Sequence, residues 1–342
     1  MNYVVFGAGA IGGVVGGRLS QAGFEVTLIA RGAHLDALQA RGLRIDSPAG
    51  TELVSPATVG RAGDVDWAAG PVVLLAVKSQ QTAAALGELA VVAPPETPIV
   101  CLQNGIANEP AALRLFANVY GVNVACPTSH LRPGVVEAWS TPVTGLLDLG
   151  RYPDGTDQVS ETVAADLRAA TFSANSVPDI RRWKNRKLLT NLGNAVEAVC
   201  GPDERGGPLA ELLLAEGEAA FAAAGCDVAT AKEDQDRRGE LLRLGEIAGQ
   251  TRPGGSSWQS LRRATGDIET DYLNGEIVRL GRLHAVSTPA NELMQRLARR
   301  LATHREPPGA TPAAAILGQL ERSGEPIGPA PGQVAPGQVA SA

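Results

Sequence analysis

Aromatic side chains are scarce: they make up 4% of the 342 residues, although 44% are hydrophobic. A core built with so few rings must use small and branched aliphatic side chains. Cysteine is also sparse. Cys101, Cys126, Cys200 and Cys226 stand far apart with no Cys-x-x-Cys pair, which excludes a disulfide framework or a zinc ribbon and predicts reduced, buried thiols of a cytoplasmic protein. Long basic runs are missing and the net charge is −6, so nucleic acid is not an expected partner. No apolar run approaches the ~20 residues of a membrane helix, and no membrane association is expected. The opening MNYVVFGAGAIGG lacks a basic stretch followed by a long apolar one; it predicts a strand and a turn instead of a signal peptide. His34 and His284 fit no metal-ligand spacing, so no metal is expected.

What is present falls into two halves. The first alternates short apolar runs with helical patterns. Tyr3 to Phe6 ends in glycines, Ala10 to Ala22 has helical character, and Phe24 to Ile29 follows as a second strand. Pro71 to Val77 and Ile99 to Leu102 are continuous apolar runs that suit strands buried on both faces of a parallel sheet. Val119 to Val124, Val135 to Ala138 and Val143 to Leu149 are further strands. The alternation predicts an α/β fold, a Rossmann-type doubly wound sheet over residues 1–177. The pattern then changes. Asp179 to Cys200 has the character of one long helix. Leu209 to Ala224, Val228 to Ala248, Ser257 to Arg263, Thr270 to His284 and Pro289 to Thr303 extend an all-helical C-terminal domain over residues 178–305. Residues 306–342 are rich in Pro, Gly and Ala and end in a tandem repeat of Pro331 to Ala335. Such a composition buries too little to offset its ordering entropy, which predicts a disordered tail.

Gly7-Ala8-Gly9-Ala10-Ile11-Gly12 is a Gly-x-Gly-x-x-Gly loop that follows a strand and opens a helix. The first glycine permits the tight turn, the second lets backbone approach a pyrophosphate, and the third lets the helix pack on the strand. The helix N-terminus offers free N–H groups to the phosphates. The second strand ends in Ala30-Arg31, where NAD-binding domains place an acidic residue for the ribose hydroxyls; Glu25 lies too far back for that role. Arg31 can instead pair with a 2′-phosphate, which points to NADP(H).

Further motifs follow in order. Val77-Lys78 closes a strand, and Gln103-Asn104-Gly105 follows the next one. Lys187 to Asn191 lie on the long helix, and Ser256-Ser257 precede Glu269-Thr270-Asp271-Tyr272-Leu273-Asn274-Gly275. With the glycine loop, this ordered set resembles the ketopantoate reductase (2-dehydropantoate 2-reductase) family over about Met1 to Thr303. The resemblance implies NADPH-dependent reduction of a 2-oxo acid to a 2-hydroxy acid, ketopantoate to pantoate on the route to pantothenate. It implies that Gly7 to Gly12 and Arg31 bind the dinucleotide. Lys78 would stand beside the cofactor, and Asn104 would touch its nicotinamide end and the substrate. Lys187 would be the general acid, Asn191 and Ser257 would hold the substrate, and Glu269 would lie near the cofactor ribose and the reacting centre.

Helix geometry supports part of this independently: Lys187, Asn191 and Asn194 are spaced i, i+4, i+7 and share one face. Lys184 is a rival for the general acid, because Trp183 stands two residues further from Lys187 than the family's tryptophan does. The Lys187-to-Asn191 interval decides for Lys187. Asn194 comes one residue earlier than the family's second substrate asparagine, at the position before Ala195, and no third asparagine appears near Gly201-Pro202-Asp203. These departures keep open a different 2-oxo acid or ketone as substrate. A non-catalytic NADP(H) sensor is the alternative from another class, and a homodimer also stays open. His130 is expected at the surface. Arg262 and Arg263 are candidates to help hold an anionic substrate. A site divided between the halves predicts closure by hinge motion.

Overall fold

A computed structural model of the chain describes residues 1–322; the Pro331 to Ala335 repeat lies outside the described residues. In chain order the strands are β1 (Tyr3–Phe6), β2 (Val26–Ile29), β3 (Leu43–Ser47), β4 (Gly50–Val54), β5 (Ala57–Val59), β6 (Val72–Leu75), β7 (Ile99–Cys101), β8 (Val119–Ala125), β9 (Thr128–Arg132), β10 (Val135–Ala138), β11 (Ser140–Pro142), β12 (Leu146–Arg151) and β13 (Leu242–Leu244). The helices of the first half are α1 (Ala10–Gln21), α2 (Gly32–Arg41), α3 (Thr82–Val92), α4 (Asn108–Ala112) and α5 (Gln158–Ala169). Those of the second are α6 (Ile180–Asn191), α7 (Gly193–Cys200), α8 (Pro208–Ala223), α9 (Ala231–Arg238), α10 (Ser256–Arg263), α11 (Asn274–Leu283), α12 (Pro289–His304) and α13 (Ala313–Arg322).

Seven strands form the main sheet in the order β12-β8-β7-β6-β1-β2-β5, parallel except for β12 against β8. The continuous apolar runs have a direct cause. Val5, Leu28, Leu74 and Val100 enter a core on one face, while Val4, Phe6, Val73, Leu75 and Ile99 enter a separate core on the other. A strand covered on both sides has no position to spare for polar residues. The chain runs outward from β1 to β2 and β5, then returns to β6 on the other side of β1. That reversal opens a crevice at the C-terminal ends of β1 and β6, the place where doubly wound sheets bind ligands.

A second sheet, β4-β3-β10-β9, packs across α1 from the main one. The glycines of α1 allow this sandwich. A Cβ at Gly16 would stand 2.6 Å from Leu28 Cδ2 of the main sheet, and one at Gly17 would stand 2.6 Å from Ile45 Cδ1 of the second.

In the second half Leu188, Val196, Leu213, Phe221, Ile277 and Met294 centre a separate helical core. Three expectations need correction here. The helix expected over Asp179 to Cys200 is broken at Leu192, where i→i−3 bonds from Leu192 N to Leu189 O (3.2 Å) and from Ala195 N to Leu192 O (3.3 Å) tighten the turn. The Thr190 hydroxyl also bonds back to Arg186 O at 3.1 Å, a contact that bends helices. The half is not all helix, because within Val228 to Ala248 only α9 is helical and β13 pairs antiparallel with β11 of the first half. Within the stretch expected to be disordered from residue 306, α13 forms and buries Ala313, Ile316 and Leu320 against the helical core.

Candidate active site

The turns that leave the C-terminal ends of β1, β6, β7 and β8 form one wall of a cleft of about 780 Å³; α6, α7, α10 and the loops around them form the other. Gly7, Gly9, Ala10, Ile11, Lys78, Asn104, Lys187, Asn191, Asn194 and Glu269 all line it. Ala8, Gly12, Arg31 and Ser257 do not. Ser257 is buried on α10 while its neighbour Ser256 faces the cleft.

The glycine loop has the shape of a phosphate cradle. Gly7 has φ +104°, and a Cβ there would stand 2.9 Å from Val77 Cγ1. Gly12 packs against Val5 and Ala76, with room for no side chain. A Cβ at Gly9 would meet nothing within 4 Å, because it points into the cleft. The N-terminal N–H groups of α1 receive no side-chain cap. A loop pressed against the sheet from behind and open in front fits an anion at the helix terminus.

His34, which sequence reasoning passed over, holds this loop from outside. Gly134 N donates to His34 Nδ1 at 2.9 Å, so Nε2 carries the proton and donates to Ala8 O at 2.7 Å. Burial lowers the His34 pKa and keeps the ring neutral. His130 packs against it, with ring centroids 4.3 Å apart, and donates from Nδ1 to Val135 O at 2.9 Å. His130 was expected at the surface, yet it lines the cleft, and burial pushes its pKa down to about 4.

Arg31 stands outside the cleft, 68% exposed, with Nη2 donating to Glu88 Oε2 at 2.6 Å. Glu88 Oε1 also accepts from Ala62 N at 2.7 Å.

The two lysines of α6 meet opposite surroundings. Lys184 is buried; its ammonium donates to Gln103 O at 2.9 Å and Val122 O at 3.1 Å and ion-pairs with Glu109 Oε1 at 2.8 Å. It ties α6 to the sheet. Lys187 lines the cleft and has no hydrogen-bond or ion-pair partner among the described residues. Burial lowers its pKa to about 7, helped by the neighbouring charges of Arg238, Arg205 and Arg252 and opposed by Asp234. One turn on, Asn191 Nδ2 donates to Asn104 Oδ1 at 3.0 Å across the cleft. Asn194 Oδ1 is buried and meets no donor among the described residues.

Glu269 bridges the halves elsewhere. Its Oε1 accepts from Ser79 N at 3.1 Å, and its Oε2 lies 4.0 Å from Lys78 Nζ. Lys78 also donates to Ser260 Oγ. Burial lowers the Lys78 pKa, and Glu269 opposes the shift. Arg263 lines the cleft and donates to His130 O at 3.1 Å, whereas Arg262 is exposed and lies off it. Arg205, Arg238, Arg252, Ser256 and Gln259 also line the cleft. The sequence motif contained Ser256 but put the role on Ser257; Arg205, Arg238, Arg252 and Gln259 were missed, since none belongs to a spacing that marks a site.

The family described as Ketopantoate reductase PanE/ApbA matches residues 3–152, and its C-terminal counterpart matches residues 179–302. The chain belongs to the ketopantoate reductase family. It is an oxidoreductase, similar over most of its length to curated ketopantoate reductases. One is the 2-dehydropantoate 2-reductase of Pyrococcus horikoshii, 28% identical over 304 residues that cover 86% of this chain and 95% of the relative. Among solved structures, a PanE/ApbA family ketopantoate reductase from Ralstonia eutropha JMP134 superposes with a TM-score of 0.73 at 27% identity, covering 90% of this chain and 100% of that one. A ternary structure of D-mandelate dehydrogenase with NADH and anilino(oxo)acetate shares the fold, with a TM-score of 0.74 at 22% identity, covering 89% of this chain and 99% of that one. Proteins named for different substrates thus share this fold. No helix among the described residues is long and apolar enough to cross a membrane, and no group of His, Cys, Asp and Glu among them could hold a metal ion.

Proposed function

We propose that the chain uses NADPH to reduce a 2-oxo acid to a 2-hydroxy acid, with ketopantoate, the substrate named for its relatives, as the first candidate. One observation supports this above the rest: an unpartnered lysine with its pKa lowered to about 7 faces the same cleft as the glycine loop. A sensor that only bound the dinucleotide would have no use for such a group. The nicotinamide, when bound, supplies the hydride. The loop N–H groups of Gly9, Ala10 and Ile11 would hold the pyrophosphate, Arg31 would meet the 2′-phosphate, and Lys78, Asn104 and Glu269 would serve the nicotinamide end. Lys187 protonates the ketone oxygen, and its charge stabilises the oxyanion as it forms. Asn191 and Asn194 orient the substrate. The serine hydroxyl assigned to substrate at Ser257 is better supplied by Ser256, which faces the cleft.

The test is NADPH oxidation against a panel of 2-oxo acids that includes ketopantoate. Oxidation dependent on at least one of them is expected; a rate no higher than without substrate across the whole panel sinks the proposal. Its pH dependence is fixed by the proton donor. Lys187 must be protonated, so kcat/KM should be flat below pH ~7 and fall about tenfold per unit as pH rises through the lysine pKa. A profile still flat to pH 9 would assign the proton to another group.

Cofactor preference has its own test. Arg31 already pairs with Glu88, so a 2′-phosphate must compete with that carboxylate. Arg31→Ala should weaken NADPH binding by about 1.5–3 kcal/mol and leave NADH nearly unchanged. Glu88→Gln should raise the preference for NADPH, because it removes the competing charge while an amide oxygen still accepts from Ala62 N. Fluorescence titration with both cofactors reads these changes, and equal losses for NADPH and NADH in Arg31→Ala would contradict the assignment.

A further inference from the structure

Four cations meet at the substrate end of the cleft: Lys187, Arg205, Arg238 and Arg252. Two are matched. Arg205 Nη1 lies 2.7 Å from Glu197 Oε2, and Arg238 Nε lies 2.9 Å from Asp234 Oδ2. Arg252, in the segment between β13 and α10, has no carboxylate within ion-pair reach among the described residues. Glu197 contributes to its field, but the Glu197 oxygens are taken by Arg205 and by Gly255 N. Among the described residues Arg252 makes a single, long hydrogen bond, from Nη2 to Thr128 O at 3.5 Å, and its buried Nε finds no acceptor. A guanidinium has five N–H donors in a flat fork, and a desolvated charge left without a counter-ion is costly. Further along the cleft, Arg263 has Asp267 and Glu269 as electrostatic partners. Arg252 is therefore the guanidinium at the substrate end still waiting for an anion.

We propose that Arg252 is the carboxylate anchor of the substrate: the carboxylate accepts a forked pair of hydrogen bonds from Arg252 while the adjacent ketone faces Lys187. This rests on the reading of the cleft as a 2-oxo acid reductase. The charge balance narrows the substrate class. One carboxylate satisfies Arg252 and leaves the ammonium of Lys187 free for the ketone; a second carboxylate finds Arg205 and Arg238 already paired. Leu242 and Leu244 of β13 supply apolar lining nearby. The class is a 2-oxo monocarboxylate with an uncharged side chain. Bidentate guanidinium–carboxylate contacts fix orientation as well as affinity, so the anchor would also decide which face of the ketone is presented.

The test compares wild type, Arg252→Gln and Arg252→Lys as NADPH-loaded enzymes. Oxamate, a carboxylate with a planar carbonyl beside it, is titrated calorimetrically. Wild type should bind it, Arg252→Gln should bind it about 30–100-fold more weakly, and Arg252→Lys should fall between them, because the charge remains but the fork is lost. In turnover, wild type should favour the best 2-oxo acid of the panel over its primary amide by at least ~30-fold in kcat/KM, and Arg252→Gln should lose most of that discrimination through KM. NADPH affinity should stay unchanged in both variants, which shows that they fold. Oxamate binding to Arg252→Gln as to wild type, or no binding to wild type, overturns the anchor. If no 2-oxo acid is reduced but oxamate still binds through Arg252, the anchor stands and the proposed reaction fails.

Discussion

Lys187→Ala should lower kcat by about 10²–10⁴-fold, the range for loss of a positioned proton donor. NADPH affinity should hardly change, because the loop N–H groups lie on the other wall and Arg31 stands outside the cleft. Asn191→Ala should raise KM in addition to lowering kcat, since it removes the amide one turn along from the lysine and frees Asn104 from its partner. Steady-state kinetics on the best acid of the panel, with NADPH binding measured separately, reads all three effects. A Lys187→Ala enzyme with the kcat of wild type would remove Lys187 from the scheme and assign the proton to another group.

Lys184→Met should cost about 3–5 kcal/mol of folding stability, because it leaves Glu109 buried at 1% exposure with no counter-charge. Adding Glu109→Gln should recover much of that loss, since two neutral partners carry no desolvated charge. Denaturant unfolding monitored by circular dichroism measures both. If the single variant is as stable as wild type, the pair is not a structural tie. If it is stable and inactive, Lys184 rather than Lys187 is the proton donor.

These two lysines show how far the sequence could be read. They lie three positions apart on one helix, about 60° apart around its axis. The interval to Asn191 favours Lys187, but what takes Lys184 out of the cleft is not local: its partners Glu109, Gln103 and Val122 come from α4, the turn after β7, and β8, all distant in the chain. Ser256 and Ser257 pose the same problem at one residue's separation, where about 100° of rotation separates cleft from core. The glycine loop was legible because its whole meaning lies in six consecutive residues. Of the second sheet only β10 was. The strands β3, β4 and β9 carry Arg44, Asp46, Glu52 and Arg132, so no continuous apolar run marks them. Arg252 stands alone in a Gly/Pro-rich loop, and only the pairing of its neighbours Arg205 and Arg238 shows that it lacks a carboxylate. In α13 the apolar spacing Ala313, Ile316, Leu320 is present, but the proline- and glycine-rich composition around it hid a helix.

The four glycines of α1 have a consequence for how the nucleotide site comes into being. Each costs about 1 kcal/mol against alanine in an isolated helix, so this segment has little tendency to coil alone. It becomes helical when Val5 and Leu28 close on one side and Ile45 and Val136 on the other. The phosphate cradle at its N-terminus is therefore absent from partly folded chains, in which either sheet is unmade. A dinucleotide that binds only the finished cradle draws the population toward the native state, by RT ln(1 + [L]/Kd). NADPH added above its Kd should then slow proteolysis of the chain, which limited digestion with and without the cofactor measures. Alanine replacements in α1, ordinarily stabilising in a helix, would force the two sheets apart and weaken folding and nucleotide binding together.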